Sequence, residues 1–179
     1  PGRRDALCAA SELTLAIEAA ALNSGAIDTV ATVGVCRVHP GAVNSIPSRV
    51  ELMLDLRDTD EDRRNRVYSH IRTTASEIAH RRRVAIRFEP INADRPAASD
   101  PAILAALEEA AQAEQLPFRR IVSRAYHDAL FMARIAPVAM LFLPCRGGVS
   151  HRPDEHAEPE HIAQATRTLA RTLATLSAK

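Results

Sequence analysis

Aromatic residues are scarce in this chain of 179 residues, which has no tryptophan, four phenylalanines and two tyrosines. Hydrophobic residues nevertheless make up 46% of the sequence. The core must therefore consist mainly of alanine, leucine, valine and isoleucine, as in a mixed chain of strands and alanine-rich helices. The length allows one ordinary domain or two small ones.

Other absences narrow the function. Lysine and arginine total 23 against 22 aspartates and glutamates, so neither nucleic acid nor a membrane surface is an expected partner. No apolar run approaches the roughly 20 residues of a membrane span. The three scattered cysteines do not form a disulfide framework, and no secretory signal is recognisable, so the expected location is the cytoplasm. There is no initiator methionine, and we expect the C-terminal portion of a larger protein.

The first half of the chain predicts a two-layer α+β sandwich. Apolar spacing indicates helices over 5–22 and around 67–78. Residues 29–38, 50–57 and 84–88 read as strands, of which 50–57 alternates most clearly between apolar and polar positions. The residues expected on the buried helical faces are Leu13, Ile17, Ala20, Ala21, Val67, Ile71, Ala75 and Ile78.

An Ala/Pro/Asp-rich stretch predicts a boundary, and we place two domains at 1–96 and 97–179. After it, Ser99 or Asp100 caps a new helix, with Pro101 in its first turn. The order that follows, helix, strand, helix, strand, helix, is typical of part of a three-layer α/β sheet.

Three segments of the second domain carry that interpretation. Residues 118–122 and 138–143 are the predicted strands, and 128–135 is a predicted helix between them. The unbroken apolar run of 138–143 predicts a strand buried on both faces. Pro159 opens the last helix, whose predicted buried side consists of Ile162, Leu169, Leu173 and Leu176.

Three histidines follow the apolar run at intervals of five residues. On one helix this spacing would separate neighbours by about 140°, and Pro153 and Pro159 interrupt any continuous helix. A three-histidine zinc site is therefore not expected, and neither HExxH nor paired CxxC spacing is present. His151 lies just past the carboxyl end of one predicted strand and His127 just past the other. Both are expected at one rim of the sheet, where α/β proteins bind ligands.

The alternatives for these histidines stay open at this point. His151 is either a functional residue or a loop histidine bonded to a backbone carbonyl. The two later histidines, His156 and His161, are expected at the surface.

Three stretches together resemble a known family: "TVGVCRVHPGAVNSIPSRVELMLDLRD", "SRAYHDALFMAR" and "VAMLFLPCRGGVSHRPDEH". They are similar to the C-terminal part of dinuclear-zinc amidohydrolases, which include N-carbamoyl-L-amino-acid hydrolases, allantoate amidohydrolases and ureidoglycolate amidohydrolases. The resemblance implies that 1–96 is the lid, or dimerisation, domain without its first strand. It implies that 97–179 is the C-terminal segment of the catalytic domain.

The resemblance also implies roles for particular residues. His151, in the G-x-S-H-x-P motif, would ligate one of two divalent metal ions, with zinc expected and manganese or cobalt as alternatives. Asn44 and Arg57 would hold the substrate carboxylate, and we expect them near each other across a short loop. A guanidinium suits this role because it binds a carboxylate through two parallel hydrogen bonds.

One motif departs from the family's common form. Many relatives read S-G-A-G-H-D, where this chain has Arg124 and Tyr126 in place of the glycines. The bulkier form favours the ureidoglycolate branch and predicts that Arg124 contributes to the substrate pocket. His127 would bond the substrate or the reacting oxygen; alternatively it caps the helix that begins at Asp128.

Three functions remain. The first is metal-assisted hydrolysis of an N-carbamoyl or ureido acid, in which the metals acidify bound water. The second is an aminoacylase or carboxypeptidase activity of the same clan, and the third is a non-catalytic dimerisation module. In the first two cases the other ligands and the general base would lie upstream, so this chain alone is expected to be inactive and metal-poor, and the complete enzyme to be a homodimer.

Overall fold

The computed structural model describes residues 2–178. The chain divides into two compact units, Pro1–Pro96 and Ala97–Lys179. No helix in the described range is both long enough and apolar enough to cross a bilayer.

In the first unit, helices cover one face of a two-stranded antiparallel sheet. Helix α1 (Ala6–Leu22) packs against α2 (Glu61–Arg82) and against strands β1 (Val30–His39) and β2 (Arg49–Arg57), and α2 also packs against β2. Burial alternates along β2 because Leu52, Leu54 and Leu56 face the helices, whereas Glu51, Met53 and Asp55 face outward. The predicted helix–strand–strand–helix order of this unit is confirmed.

Aspartates fix the starts of the long helices. Asp5, Asp60 and Asp100 each precede a helix in extended conformation. The carboxylates of Asp5 and Asp100 each accept two backbone N–H groups of the first turn, and that of Asp60 accepts one. These bonds satisfy donors that have no partner within the helix. At the other end of α2, Arg83 adopts a left-handed conformation with φ +55° that terminates the helix.

The core of the first unit is aliphatic, as the composition predicts. Ile71 has no exposed surface, and the predicted buried faces of both helices are confirmed. The residues of this cluster are Ala9, Leu13, Ile17, Ala20, Val67, Ile71, Ala75 and Ile78. Partly buried residues of the sheet, Ala31, Val33, Leu52, Leu54 and Leu56, pack against it.

The predicted strand at 84–88 is wrong in one respect. Val84, Ile86 and Phe88 pack against the core and alternate with exposed residues, so the period of two is present. The sheet of the described residues nevertheless contains only β1 and β2. A strand requires a hydrogen-bonded neighbour, and local alternation alone does not supply one.

In the second unit, α3 (Pro101–Ala113) packs against α5 (Pro159–Ser177), and the short α4 (Ala129–Met132) lies between them in sequence. The predicted helix over 128–135 is confirmed for Ala129–Met132, and the residues on either side of it within that range are turns. The carboxylate of Glu114, just past α3, binds Arg167 at 3.0 Å and also Arg171 on α5. These ion pairs join the two helices.

Neither predicted strand of the second unit forms. Residues 118–122 and 138–143 pair with no strand of the described chain, and the run expected to be buried on both faces exposes Leu141, Phe142 and Leu143. Their apolar composition favours strands, but pairing depends on neighbours that are distant in sequence. One hydrogen bond joins the second of these segments to the start of α3: the Asp100 N–H donates to the Val138 carbonyl at 2.7 Å.

The predicted buried face of α5 is also wrong. Ile162, Leu169 and Leu173 are each about half exposed, whereas Thr168 and Thr172 are 2% exposed. Each of these threonine hydroxyls donates to the carbonyl four residues earlier, at 3.0 and 2.8 Å. Their burial therefore leaves no hydroxyl donor unpaired, and the helix can present threonine rather than leucine to α3.

Candidate functional site

The loop between β1 and β2 carries Asn44. The loop, residues 40–48, closes at its base, where the Ser48 N–H donates to the His39 carbonyl at 3.0 Å. Gly41 has φ +74°, and a Cβ there would lie 3.3 Å from a backbone carbonyl oxygen, so this turn requires glycine. Asn44 is exposed in the loop, and its amide can both donate and accept hydrogen bonds.

Arg57 is the last residue of β2 and lies on the exposed face of the sheet. Asp55, two residues earlier on that face, binds its guanidinium. The Arg57 Nε lies 2.9 and 3.0 Å from the two carboxylate oxygens, and Nη2 lies 2.5 Å from one of them. The hydrogen bonds from Arg57 to Asp55 raise the pKa of Arg57. The ion pair with Asp55 thus holds the guanidinium at the strand end.

The strand register places Arg57 and Asn44 at opposite ends of the hairpin. Arg57 pairs with Val30, whereas Arg49 pairs with His39 beside the loop. From position 49 to position 57, β2 extends for about 26 Å at roughly 3.3 Å per residue. The expectation that the two residues lie near each other across a short loop is wrong, because the ladder separates them.

The buried carboxylate of Asp58, next to Arg57, joins three elements. Its side chain is 0% exposed. It accepts hydrogen bonds from Arg63 (Nε at 2.8 Å, and Nη2), from the Thr29 hydroxyl at 2.6 Å and from the Asp60 N–H at 2.9 Å. Burial alone would raise the pKa of Asp58, but these hydrogen bonds outweigh it and lower the pKa to about 2. The network fixes the end of β2 against β1 and α2.

In the second unit, His127 is half-buried just before α4. Its Nε2 lies 2.7 Å from the Ser123 hydroxyl oxygen, and its ring centroid lies 6.0 Å from that of Phe142. Its carbonyl accepts the Leu130 N–H at 3.0 Å. The backbone of His127 thus contributes to the first turn of α4, while its imidazole bonds Ser123. Sequence reasoning included Ser123 in the motif but gave it no role.

Arg124 and Tyr126, which replace the two glycines of the common motif, are both exposed. The Tyr126 ring meets Phe131 edge-on, with centroids 5.7 Å apart. The Arg134 guanidinium carbon lies 5.1 Å from the Phe131 centroid. Tyr126 therefore packs on an aromatic ring that also contacts a cation. Together these residues add bulk and positive charge beside His127.

The loop that carries His151 has an unusual backbone. His151 has φ +58°, which few residues other than glycine adopt. Its N–H donates to the Glu155 carboxylate at 2.9 Å, and the Arg146 N–H donates to the His156 carbonyl at 2.8 Å. The imidazole of His151 is exposed. Such a backbone conformation is common at functional sites and supports a functional hypothesis for this residue.

A complete metal centre is not present among residues 2–178, where no three His, Cys, Asp or Glu side chains lie close enough together to hold a metal ion. An imidazole suits zinc, so His151 qualifies as one ligand but not as a site. His156 is exposed, 3.5 Å from Glu158. His161 was also expected at the surface, but its Nδ1 atom is buried and has no hydrogen-bond partner within the described chain. The prediction is wrong for this atom.

The profile of peptidase family M20/M25/M40 matches residues 6–175. The chain therefore belongs to this family. The resemblance found in the three sequence stretches is confirmed.

Relatives within the family carry related names. The chain is 49% identical over 178 residues to ureidoglycolate hydrolase of Oryza sativa subsp. japonica, covering 99% of this chain and 37% of that protein. It is 34% identical over 167 residues to N-carbamoyl-L-amino-acid amidohydrolase of Pseudomonas sp. (strain NS671), covering 93% of this chain and 40% of that protein. The chain thus spans about two fifths of the relatives' length.

Solved structures match over the same range. The crystal structure of AtUAH in complex with glyoxylate has a TM-score of 0.92 and 48% identity, with 100% of this chain and 43% of that chain covered. An amidase of the hydantoinase/carbamoylase family from Burkholderia multivorans has a TM-score of 0.86 and 37% identity, covering 95% and 41%. The helices and small antiparallel sheet match the C-terminal part of such structures.

Proposed function

We propose that the whole protein containing this chain hydrolyses a C–N bond of a ureido or carbamoyl group in a small acid, and that ureidoglycolate is the first substrate to test. The observation that carries the proposal is the 49% identity to ureidoglycolate hydrolase, against 34% to an N-carbamoyl-L-amino-acid amidohydrolase. A second observation supports it. Arg124 and Tyr126 occupy the motif positions at which the bulkier form favours the ureidoglycolate branch.

The residues of this chain have distinct proposed roles. His151 supplies one imidazole ligand to a divalent metal ion, expected to be zinc. Arg57, oriented by Asp55, binds the substrate carboxylate. Asn44 lies about 26 Å away along β2, too far to contact the same small molecule within one subunit, so its predicted contact is assigned to the substrate of a second subunit. His127 hydrogen-bonds the substrate at the oxygen on which charge develops.

The reaction is a hydrolysis without redox change. Water adds to the carbonyl carbon of the ureido group, the C–N bond breaks, and the leaving nitrogen takes a proton. In this scheme Arg57 binds the acid end of the substrate and contacts neither the carbonyl carbon nor the leaving nitrogen. Arg57 should therefore affect substrate binding more than turnover.

We also propose that the first unit is a lid domain that pairs two subunits. Both strands of its two-stranded sheet are edges within the described chain, and an edge strand presents backbone groups that another chain can bind. Light scattering of the full-length protein should give the mass of a dimer, and a monomer at micromolar concentration would contradict this part.

The substrate class can be tested with the full-length protein. Ammonia and amine release should be measured with ureidoglycolate, allantoate, an N-carbamoyl-L-amino acid and an N-acetyl-L-amino acid. We expect the highest kcat/KM with ureidoglycolate. If the N-acetyl compound is turned over best, the protein is an aminoacylase. If no compound is turned over by the metal-loaded protein, the dimerisation alternative gains.

The carboxylate contact can be tested by comparing alanine variants of two arginines of the sheet. Arg57→Ala should raise KM strongly, whereas Arg37→Ala, a change on β1 at an exposed arginine, should leave KM unchanged. Equal effects of the two variants would contradict the proposed role of Arg57.

A further inference from the structure

Ser123 and His127 form a short side-chain hydrogen bond in the second unit. The Ser123 Oγ and the His127 Nε2 are 2.7 Å apart, a short distance for a hydrogen bond between oxygen and nitrogen. Both residues are half-buried. The segment that joins them is not helical, so the spacing of four residues does not by itself bring them together.

A hydrogen bond at one imidazole nitrogen determines what the other nitrogen can do. Neutral histidine has one donor nitrogen and one acceptor nitrogen. If the Ser123 hydroxyl donates to Nε2, the proton of the ring lies on Nδ1, which the contact with Ser123 does not use. Nδ1–H can then donate to an oxygen that gains negative charge during hydrolysis. The nearby Phe142 ring, 6.0 Å away by centroid, restricts the tilt of the imidazole.

We propose that Ser123 is a positioning residue that donates its hydroxyl proton to Nε2 of His127, and thereby holds the imidazole as the Nδ1–H tautomer with Nδ1 directed at the substrate. This rests on the proposed function, in which His127 contacts the reacting group. Ser123 itself touches no substrate. Its hydroxyl acts through the orientation and the tautomer of His127.

The tautomer can be measured without any substrate. In full-length protein labelled with ¹⁵N-histidine, the His127 signals are assigned by their loss in His127→Gln. We expect the proton on Nδ1 in the wild type and a shift of the population towards Nε2–H in Ser123→Ala. A wild-type imidazole with its proton on Nε2, or an unchanged tautomer in Ser123→Ala, would overturn the proposal.

Kinetics supply a second, independent arm. Ser123→Ala should lower kcat about tenfold or more with little change in KM, and Ser123→Thr, which keeps the hydroxyl, should restore most of the loss. Added to His127→Gln, Ser123→Ala should cause no further loss, because the two residues act as a unit. Ser99→Ala, at an exposed serine of the same unit, is the matched control and should leave kcat unchanged.

The outcomes separate the two proposals. If His127→Gln keeps full activity, the role of His127 in the proposed function fails. If His127→Gln is inactive but Ser123→Ala is unaffected in kcat and tautomer, the positioning role alone fails. If Ser123→Thr does not restore the activity lost in Ser123→Ala, Ser123 acts through the fold and the proposal is overturned. The same holds if adding Ser123→Ala to His127→Gln lowers kcat further.

Discussion

Replacing Asp58 with asparagine should destabilise the first unit, because it removes the charge that joins β2 to β1 and α2. The Asp58 side chain is buried and accepts hydrogen bonds from Arg63, the Thr29 hydroxyl and the Asp60 N–H. Asparagine keeps the shape and one acceptor oxygen. It leaves the Arg63 guanidinium without its closest ionic partner, and such losses are costly at buried positions.

The size of the effect follows from the pKa of Asp58, which falls from its ordinary value of 3.8 to about 2 in the folded protein. At about 1.4 kcal/mol per pKa unit, the ionised carboxylate contributes about 2 kcal/mol to the free energy of unfolding at neutral pH. Because the folded pKa is the lower one, this contribution is present above about pH 4 and is lost as the pH falls towards 2. About half should remain near pH 3.

Urea unfolding followed by far-ultraviolet circular dichroism at pH 7 and pH 3 measures this difference. Asp60→Asn is the matched control, since it makes the same chemical change at a half-exposed cap, where asparagine caps as well as aspartate. Its effect should stay below about 0.5 kcal/mol. If Asp58→Asn costs no more than the control at pH 7, or costs the same at both pH values, the ionised carboxylate does not stabilise this unit.

Three further predictions concern the core, the helix pair and the substrate. Ile71→Ala should cost about 2–5 kcal/mol in the same unfolding assay because Ile71 is fully buried, whereas Ile27→Ala, at an 82% exposed residue, should cost little; similar costs would contradict the assigned core. Hydrogen bonds from Arg171 and Arg167 lower the pKa of Glu114, so the α3–α5 contact should weaken as the pH falls below the ordinary carboxyl range. Glu114→Gln should remove this acid sensitivity, measured as the amide-exchange protection of α5 against pH, and the same pH dependence in the variant would count against it. Arg57→Lys should raise KM about tenfold with kcat nearly unchanged, since lysine cannot bind a carboxylate through two parallel bonds; a loss confined to kcat would argue against carboxylate binding.

Sequence patterns correctly predicted the elements that are determined by residues within the element itself. The helical faces of Leu13 and Ile17 and of Val67 and Ile71 follow from a period of 3.6 residues, and β2 from a period of two. These periods depend only on residues within each element. The aspartate that caps α3 was similarly among the two predicted candidates.

The failed strand predictions have the opposite cause, because a strand depends on a partner that is distant in sequence. The strands expected at 84–88, 118–122 and 138–143 have no neighbour to pair with in the described chain. On α5 the buried residues are Thr168 and Thr172, where leucines were expected. Hydrogen bonds to their own helix satisfy the threonine hydroxyls and make this burial tolerable.

For the candidate site, motifs identified residues but not their contacts. His151 was singled out by position and by resemblance, and its left-handed backbone could not be anticipated from its residue type. The contact between Ser123 and His127 lies in an irregular segment, where no periodicity predicts which side chains meet. The separation of Asn44 from Arg57 follows from the length of β2, which lies between them, and the motifs do not specify that length.

We propose that the imidazole of His151 is a metal ligand in the full-length protein. Anomalous diffraction at the zinc absorption edge, from crystals of that protein, tests it directly. We expect an anomalous peak about 2.0–2.1 Å from a ring nitrogen of His151. Zinc bound entirely by other residues, with the His151 imidazole directed into solvent, would contradict it.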